Sequence, residues 1–124
     1  MNLLTKAVRE INKDLCQQYA RHYKEFIDGK NVLDFGARNG SLKEGRSIGK
    51  YVGVDIDIAC IDGSNTRPNE SEFITIKPDD NLVEIFGENS FDTVVAFDVF
   101  EHIAHPKKKF HELQLIARKN LIIS

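Results

Sequence analysis

No apolar run in this chain of 124 residues approaches the length of a membrane span, so a spanning helix is not expected. The opening MNLLTKAVREINKD is too charged to read as a signal peptide. Cysteine is scarce. Cys16 and Cys60 have no short spacing to each other or to a histidine, which argues against both a zinc site and a disulfide scaffold. A reducing cytoplasm is the expected location. A large excess of charge of one sign is also missing: the net charge is −2, so there is no general pull toward nucleic acid or an anionic membrane. Internal repeats, low-complexity tracts and linkers are absent, and the length suits a single domain over 1–124. Against these absences, hydrophobic residues make up 41% and charged residues 29%, the balance of a globular chain with a core.

The elements alternate along the chain. Leu4, Val8, Ile11, Leu15, Tyr19 and Phe26 recur at helical spacing, which predicts one amphipathic helix over 3–28, ended by Gly29. A core over 30–124 follows. Its strands are expected at Asn31–Phe35, Tyr51–Ile56, Glu72–Ile76, Asp92–Phe97 and Leu121–Ile123. A short helix over Ser41–Ile48 is broken by Gly45, and Leu82–Phe86 reads as a helical turn. The stretch Asp57–Ser71 is mostly loop, with one helical turn near Ile58–Ile61. Pro106 suits the first turn of a helix running to about Lys119, with Phe110, Leu113, Ile116 and Ala117 facing inward. Strand–helix alternation of this kind predicts an α/β fold, a parallel sheet with helices on both faces.

The densest information lies in Asn31–Asp57. Val32, Leu33 and Phe35 form a buried strand that runs straight into Gly36-Ala37-Arg38-Asn39-Gly40. Glycines at such a turn let the backbone approach a ligand and present its N–H groups to it. Nineteen residues after Gly36, the second strand delivers Asp55. An acid about 20 residues past a glycine turn is suited to gripping ribose hydroxyls, so the implied ligand is nucleoside-like. Ligands of parallel sheets sit beyond the carboxyl ends of the strands, which gathers Gly36–Gly40, Asp55–Asp57, Lys77–Asp80 and Asp98–His102 around one crevice. A nicotinamide-binding G-x-G-x-x-G is excluded by Arg38 and Ser41, and no Gly-Lys-Ser or Gly-Lys-Thr supports a P-loop. Asp55, Asp57 and Asp62 lack the spacing of a calcium loop, so no metal is expected. Lys107-Lys108-Lys109 reads as a solvated face, and His22, His105 and His111 as surface residues.

Three segments resemble the class I S-adenosylmethionine-dependent methyltransferases. Val32 to Gly40 is similar to that family's V-L-D-x-G-x-G-x-G motif, and Tyr51-Val52-Gly53-Val54-Asp55-Ile56 to its second-strand signature. Ser90 to Ile103, SFDTVVAFDVFEHI, resembles the S-F-D-x-V-x-x-x-x-V-L-E-H-I segment of the small-molecule branch. The resemblance implies a Rossmann-like sheet of order 3-2-1-4-5 lacking the family's usual sixth and seventh strands. It implies S-adenosyl-L-methionine as cofactor, with Asp34 and the Gly36–Gly40 backbone toward its methionine moiety. Asp55 would accept from the ribose hydroxyls, Ile56 would pack on the adenine, and Asp79 or Asp80 would lie near the adenine amino group. Phe97 and Asp98 would line the pocket, and Glu101 and His102 would stand near the acceptor, with His102 suited to take its proton.

Two departures from the pattern carry expectations of their own. Arg38 replaces the middle glycine; it either turns outward, pairs with the cofactor carboxylate, or marks a turn that binds nothing. The missing strands normally help to shape the acceptor pocket, so three readings remain. They are a methyltransferase acting on a small molecule or a modified polymer, a catalytically inactive binding or assembly module, and an enzyme completed by another chain. The fifth strand, with no charge or proline within Leu121–Ile123, is expected to contact a second copy or a partner chain.

Overall fold

The computed structural model describes residues 15–38, 40–43, 45–56 and 71–124. Five strands form its sheet: β1 (Asn31–Phe35), β2 (Lys50–Asp55), β3 (Ser71–Thr75), β4 (Phe91–Ala96) and β5 (Ala117–Ile123). All pairings are parallel and the order is β3-β2-β1-β4-β5, the expected topology. The chain leaves β1 toward β2 on one side and returns to β4 on the other, so the strand order reverses at β1. That reversal opens a crevice at the carboxyl edge.

Residues alternate between the two faces of a strand, and both faces here are buried. Leu33, Phe35, Val52, Val54, Val94 and Ala96 belong to one cluster, completed by Leu82 of α3 (Leu82–Phe86) and by Leu113 and Ile116 of α4 (Pro106–Ile116). Val32, Tyr51 and Val95 belong to the other, with Ala20 of α1 (described over 15–22), Ile27 of α2 (Lys24–Ile27) and Leu42. The buried Thr93 hydroxyl donates to the Phe26 carbonyl at 2.6 Å, which ties α2 to β4.

Several boundaries differ from the sequence-based expectation. The single helix over 3–28 is interrupted by a turn at Tyr23 within its described part, and residues 1–14 lie outside the described residues. The helix expected over Ser41–Ile48 is one 3-10 turn, Ser41–Lys43; Gly45 takes φ 72° and Ile48 instead bridges to Asp28. The helical turn expected at Ile58–Ile61, with Asp57 and Asp62, lies outside the described residues.

The largest correction concerns α4, which stops at Ile116 rather than near Lys119. Ala117 already has the extended φ −72°, ψ 123°, and β5 takes over at once. The pull comes from Asp92 on β4, which accepts from Arg118 Nε at 3.0 Å and from the Asn31 N–H at 3.1 Å. Those contacts, the Asn31 N–H foremost, hold the Asp92 carboxyl below its ordinary range. The longer β5 therefore carries Arg118 and Lys119, both exposed, and the premise of an edge strand without charge does not hold. Charged residues of this kind blunt a strand edge. The inward face of α4 is also different. Phe110 is 40% exposed, while Lys109 and Glu112 are buried beside Leu113 and Ile116.

Candidate functional site

At the carboxyl edge of β1, β2 and β3 lies a cavity of about 440 Å³, walled on its far side by Val99, residues 102–105 and part of α4. Its size falls in the usual range for small-molecule sites. Gly36, Asp55, Ile56, Asp79 and His102, five residues singled out from sequence, line it together. Ile76, Val99 and Ile103 add apolar wall.

Gly36 follows β1 with φ 80°, and an added Cβ would stand 2.8 Å from Val99 Cγ2. Both the backbone sign and the space therefore require glycine. The turn's donors are used differently from the expectation that they would face a ligand. The N–H groups of Gly36 and Ala37 both go to the Val54 carbonyl, at 2.8 and 3.0 Å, and that of Gly40 to Ala37. The Arg38 N–H donates to Asp55 Oδ2 at 2.9 Å. The turn is thus fastened to β2, and it holds the Asp55 carboxylate at the cavity wall.

Arg38 adopts φ 51° and is exposed to solvent. A non-glycine residue in this region costs roughly 1–2 kcal/mol. Arg38→Gly keeps the backbone donor and removes that cost, partly offset by the flexibility glycine adds to the unfolded chain. The variant is expected to be more stable by about 0.5–1 kcal/mol, read as a higher urea midpoint. A lower midpoint would show that the guanidinium makes a stabilising contact.

Asp79 and Asp80 stand in different surroundings. Asp80 Oδ2 accepts the Lys77 N–H at 2.8 Å, closing a tight turn, whereas Asp79 lines the cavity. Ile56 is 59% exposed at the cavity mouth, an unusual position for a large apolar side chain.

The remaining candidates lie off the cavity lining. Asp34 is buried on the opposite side of the sheet and accepts from the Tyr51 hydroxyl at 2.6 Å. Burial pushes its carboxyl up to about 7; the Tyr51 bond opposes that and the nearby Asp55 charge adds to it. Gly53, paired in register with Asp34, makes the contact possible: a Cβ there would stand 2.9 Å from the Tyr51 hydroxyl. Gly40 is buried in the turn. Phe97 packs on Tyr19 and Tyr23, with ring centroids 5.0 and 6.4 Å away. Asp98, at φ 54°, donates its N–H to the Ser124 hydroxyl at 3.1 Å. Glu101 sits beside His102, with Oε1 3.7 Å from Nε2 and both side chains more than half exposed.

Lys109 and Glu112 are among the cavity residues that the sequence reading does not single out. Lys109 was absorbed into a lysine run read as solvated. The available signal was spacing: 109, 112, 113 and 116 share one helical face, and two of those positions are apolar. His105, expected only at the surface, is exposed and also borders the cavity. Among the described residues no three His, Cys, Asp or Glu side chains cluster as metal ligands, and no helix is long and apolar enough to cross a membrane.

Comparison with known proteins gives a consistent frame. The sequence model of a family described as a methyltransferase domain matches residues 7–122. No match is found among curated proteins. Among solved structures, magnesium protoporphyrin IX methyltransferase from Synechocystis PCC 6803, with bound SAM, superposes with a TM-score of 0.71 at 20% identity, covering 99% of this chain and 62% of that one. The same enzyme with bound SAH gives a TM-score of 0.70, again at 20% identity, with 99% and 59% covered. A chain from a Haloferax volcanii complex between a methyltransferase activator and a methyltransferase gives 0.67 at 22% identity, over 83% of this chain and 46% of that one. The chain therefore spans less than two thirds of the length of these neighbours.

Proposed function

The chain belongs to the methyltransferase domain family, and on that premise we propose that it binds S-adenosylmethionine in the carboxyl-edge cavity and transfers its methyl group to a small molecule or modified polymer. The observation that carries this reading is the convergence of Gly36, Asp55, Ile56 and Asp79 on one cavity at the point where the strand order reverses. The fold neighbours solved with SAM or SAH bound support it.

The donor set fits a nucleoside. Asp55 is an acceptor held by a backbone N–H at the end of β2, the arrangement a ribose diol needs. Asp79 is a second acceptor at the rim, suited to an exocyclic amine. Ile56, Ile76 and Val99 offer apolar surface for the faces of a purine ring, and Gly36 keeps the floor low enough to admit one. When bound, the cofactor supplies a methyl group already activated on a sulfonium. What the chain must add is alignment, and a group to take the acceptor's proton. His102, on the cavity wall, would take that proton.

The spent N–H groups of the Gly36 turn favour a second reading, a methyltransferase fold retained as a binding module or completed by another chain. Titration calorimetry with S-adenosylhomocysteine and S-adenosylmethionine tests the first claim. Saturable binding of both at micromolar ligand is expected. No heat and no thermal shift at millimolar ligand would overturn it.

A further inference from the structure

The loop 77–81, between β3 and α3, carries Asp79 to the cavity, and several of its other polar groups are tied down. The Lys77 N–H donates to Asp80 Oδ2 at 2.8 Å and the Asp80 N–H returns to the Lys77 carbonyl at 3.1 Å. Asn81 Oδ1 caps α3 by accepting from the Val83 and Glu84 N–H groups, at 2.9 and 3.3 Å. Two further bonds reach this segment from α4. Lys109 Nζ donates to the Asp80 carbonyl at 2.8 Å, and Glu112 Oε1 accepts the Leu82 N–H at 2.9 Å.

Lys109 and Glu112 also pair with each other at 2.9 Å, each side chain only 7% exposed. Burying two charges is costly, and well-packed apolar residues of similar volume commonly serve stability as well or better. In this position the pair also bonds to the backbone of the loop. It grips the peptide groups on both sides of Asn81, at the root of the segment from which Asp79 projects. Among the described residues, the Asp79 carboxylate has no hydrogen-bond or ion-pair partner. Its position is set by this loop.

We propose that Lys109 and Glu112 are positioning residues that hold the 77–81 loop so that Asp79 reads the amino group of an adenine, setting the base selectivity of the cavity. The inference rests on the cofactor reading above. The pair lines the cavity and acts through its bonds to the Asp80 carbonyl and the Leu82 N–H. Ribose recognition, which belongs to Asp55 on β2, is independent of it.

The test compares three ligands: S-adenosylhomocysteine, its hypoxanthine counterpart, and its 2′-deoxy counterpart. Lys109→Met alone would leave Glu112 charged and buried, with a risk of unfolding. The main variant is therefore Lys109→Met combined with Glu112→Gln, which carries no buried charge and still offers an oxygen to the Leu82 N–H. Wild type is expected to prefer adenine over hypoxanthine by about tenfold or more, as for a hydrogen bond to a charged group. In the double variant that preference should fall to about twofold or less, while the preference for ribose over deoxyribose is unchanged. In the unliganded variant, amide exchange should quicken at Lys77 and Leu82 relative to β1 and β4.

A double variant that keeps the full base preference overturns the proposal. So does one in which both preferences collapse together, since that marks a merely structural pair. A wild type that binds none of the three ligands overturns the cofactor reading itself, and the two failures are thereby told apart.

Discussion

Asp55→Ala is expected to weaken S-adenosylhomocysteine binding by about 1.5–3 kcal/mol, the usual worth of hydrogen bonds to a charged group. That is roughly a 10- to 150-fold loss in affinity. Asp55 lines the cavity and is fixed there by the Arg38 N–H at 2.9 Å, so little reorganisation precedes binding. The substitution also strands the Arg38 N–H, which costs about 1 kcal/mol of stability unless water replaces the carboxylate. Asp55→Asn separates the two effects. It keeps an acceptor for the Arg38 N–H, so stability should stay near wild type while the charge-assisted part of the ribose contact is lost. Asp55 also contributes to the raised pKa of Asp34, so either variant should lower the Asp34 titration. Calorimetry and urea unfolding on the three proteins read all of this. Equal affinity in wild type and Asp55→Ala would remove Asp55 from the site.

The strands and the cavity's principal residues were legible in sequence because both depend on local pattern, whereas the strand order followed from the family resemblance. Continuous apolar runs such as Val94-Val95-Ala96 mark strands buried on both faces, and Gly36 and Asp55 stand at strand ends that a parallel sheet brings to one edge. What was hidden is what long-range polar contacts decide. Propensity carries α4 on toward Lys119, but Asp92, 26 residues from Arg118 in sequence, draws that side chain to the sheet and ends the helix three residues early. The same cause concealed Lys109 and Glu112. A lysine in a lysine run reads as solvated until the Asp80 carbonyl, 29 residues away, is seen to receive it. That Asp79 and not Asp80 lines the cavity likewise depends on which carboxylate the Lys77 N–H takes. The direction of the turn's N–H groups is hidden from the sequence for a related reason, since only the register of β1 against β2 places the Val54 carbonyl beside Gly36 and Ala37.

Asp34→Asn is expected to remove most of a pH dependence of stability that lies between about pH 4 and pH 7. The Asp34 carboxyl has an ordinary value of 3.8 and is pushed up to about 7 in the folded protein, chiefly by burial. Below pH 3.8 it is protonated in both the folded and the unfolded chain and costs nothing. As the pH rises the unfolded chain ionises first, so folding loses stability until the folded-state value is passed. The difference between 3.8 and about 7 corresponds to a loss on the order of 4 kcal/mol, complete above pH 7. Asparagine keeps an oxygen for the Tyr51 hydroxyl, which approaches at 2.6 Å through the space left by Gly53, and it does not titrate. Urea unfolding of both proteins from pH 4 to pH 8 should therefore give curves that diverge with rising pH, the variant becoming the more stable by as much as about 4 kcal/mol. Curves that stay parallel would mean that the carboxyl is hydrated and ordinary. Diverging curves would show that the wild type carries a destabilising acid beside the glycine turn at neutral pH, a cost more typical of a functional edge than of a core kept for stability alone.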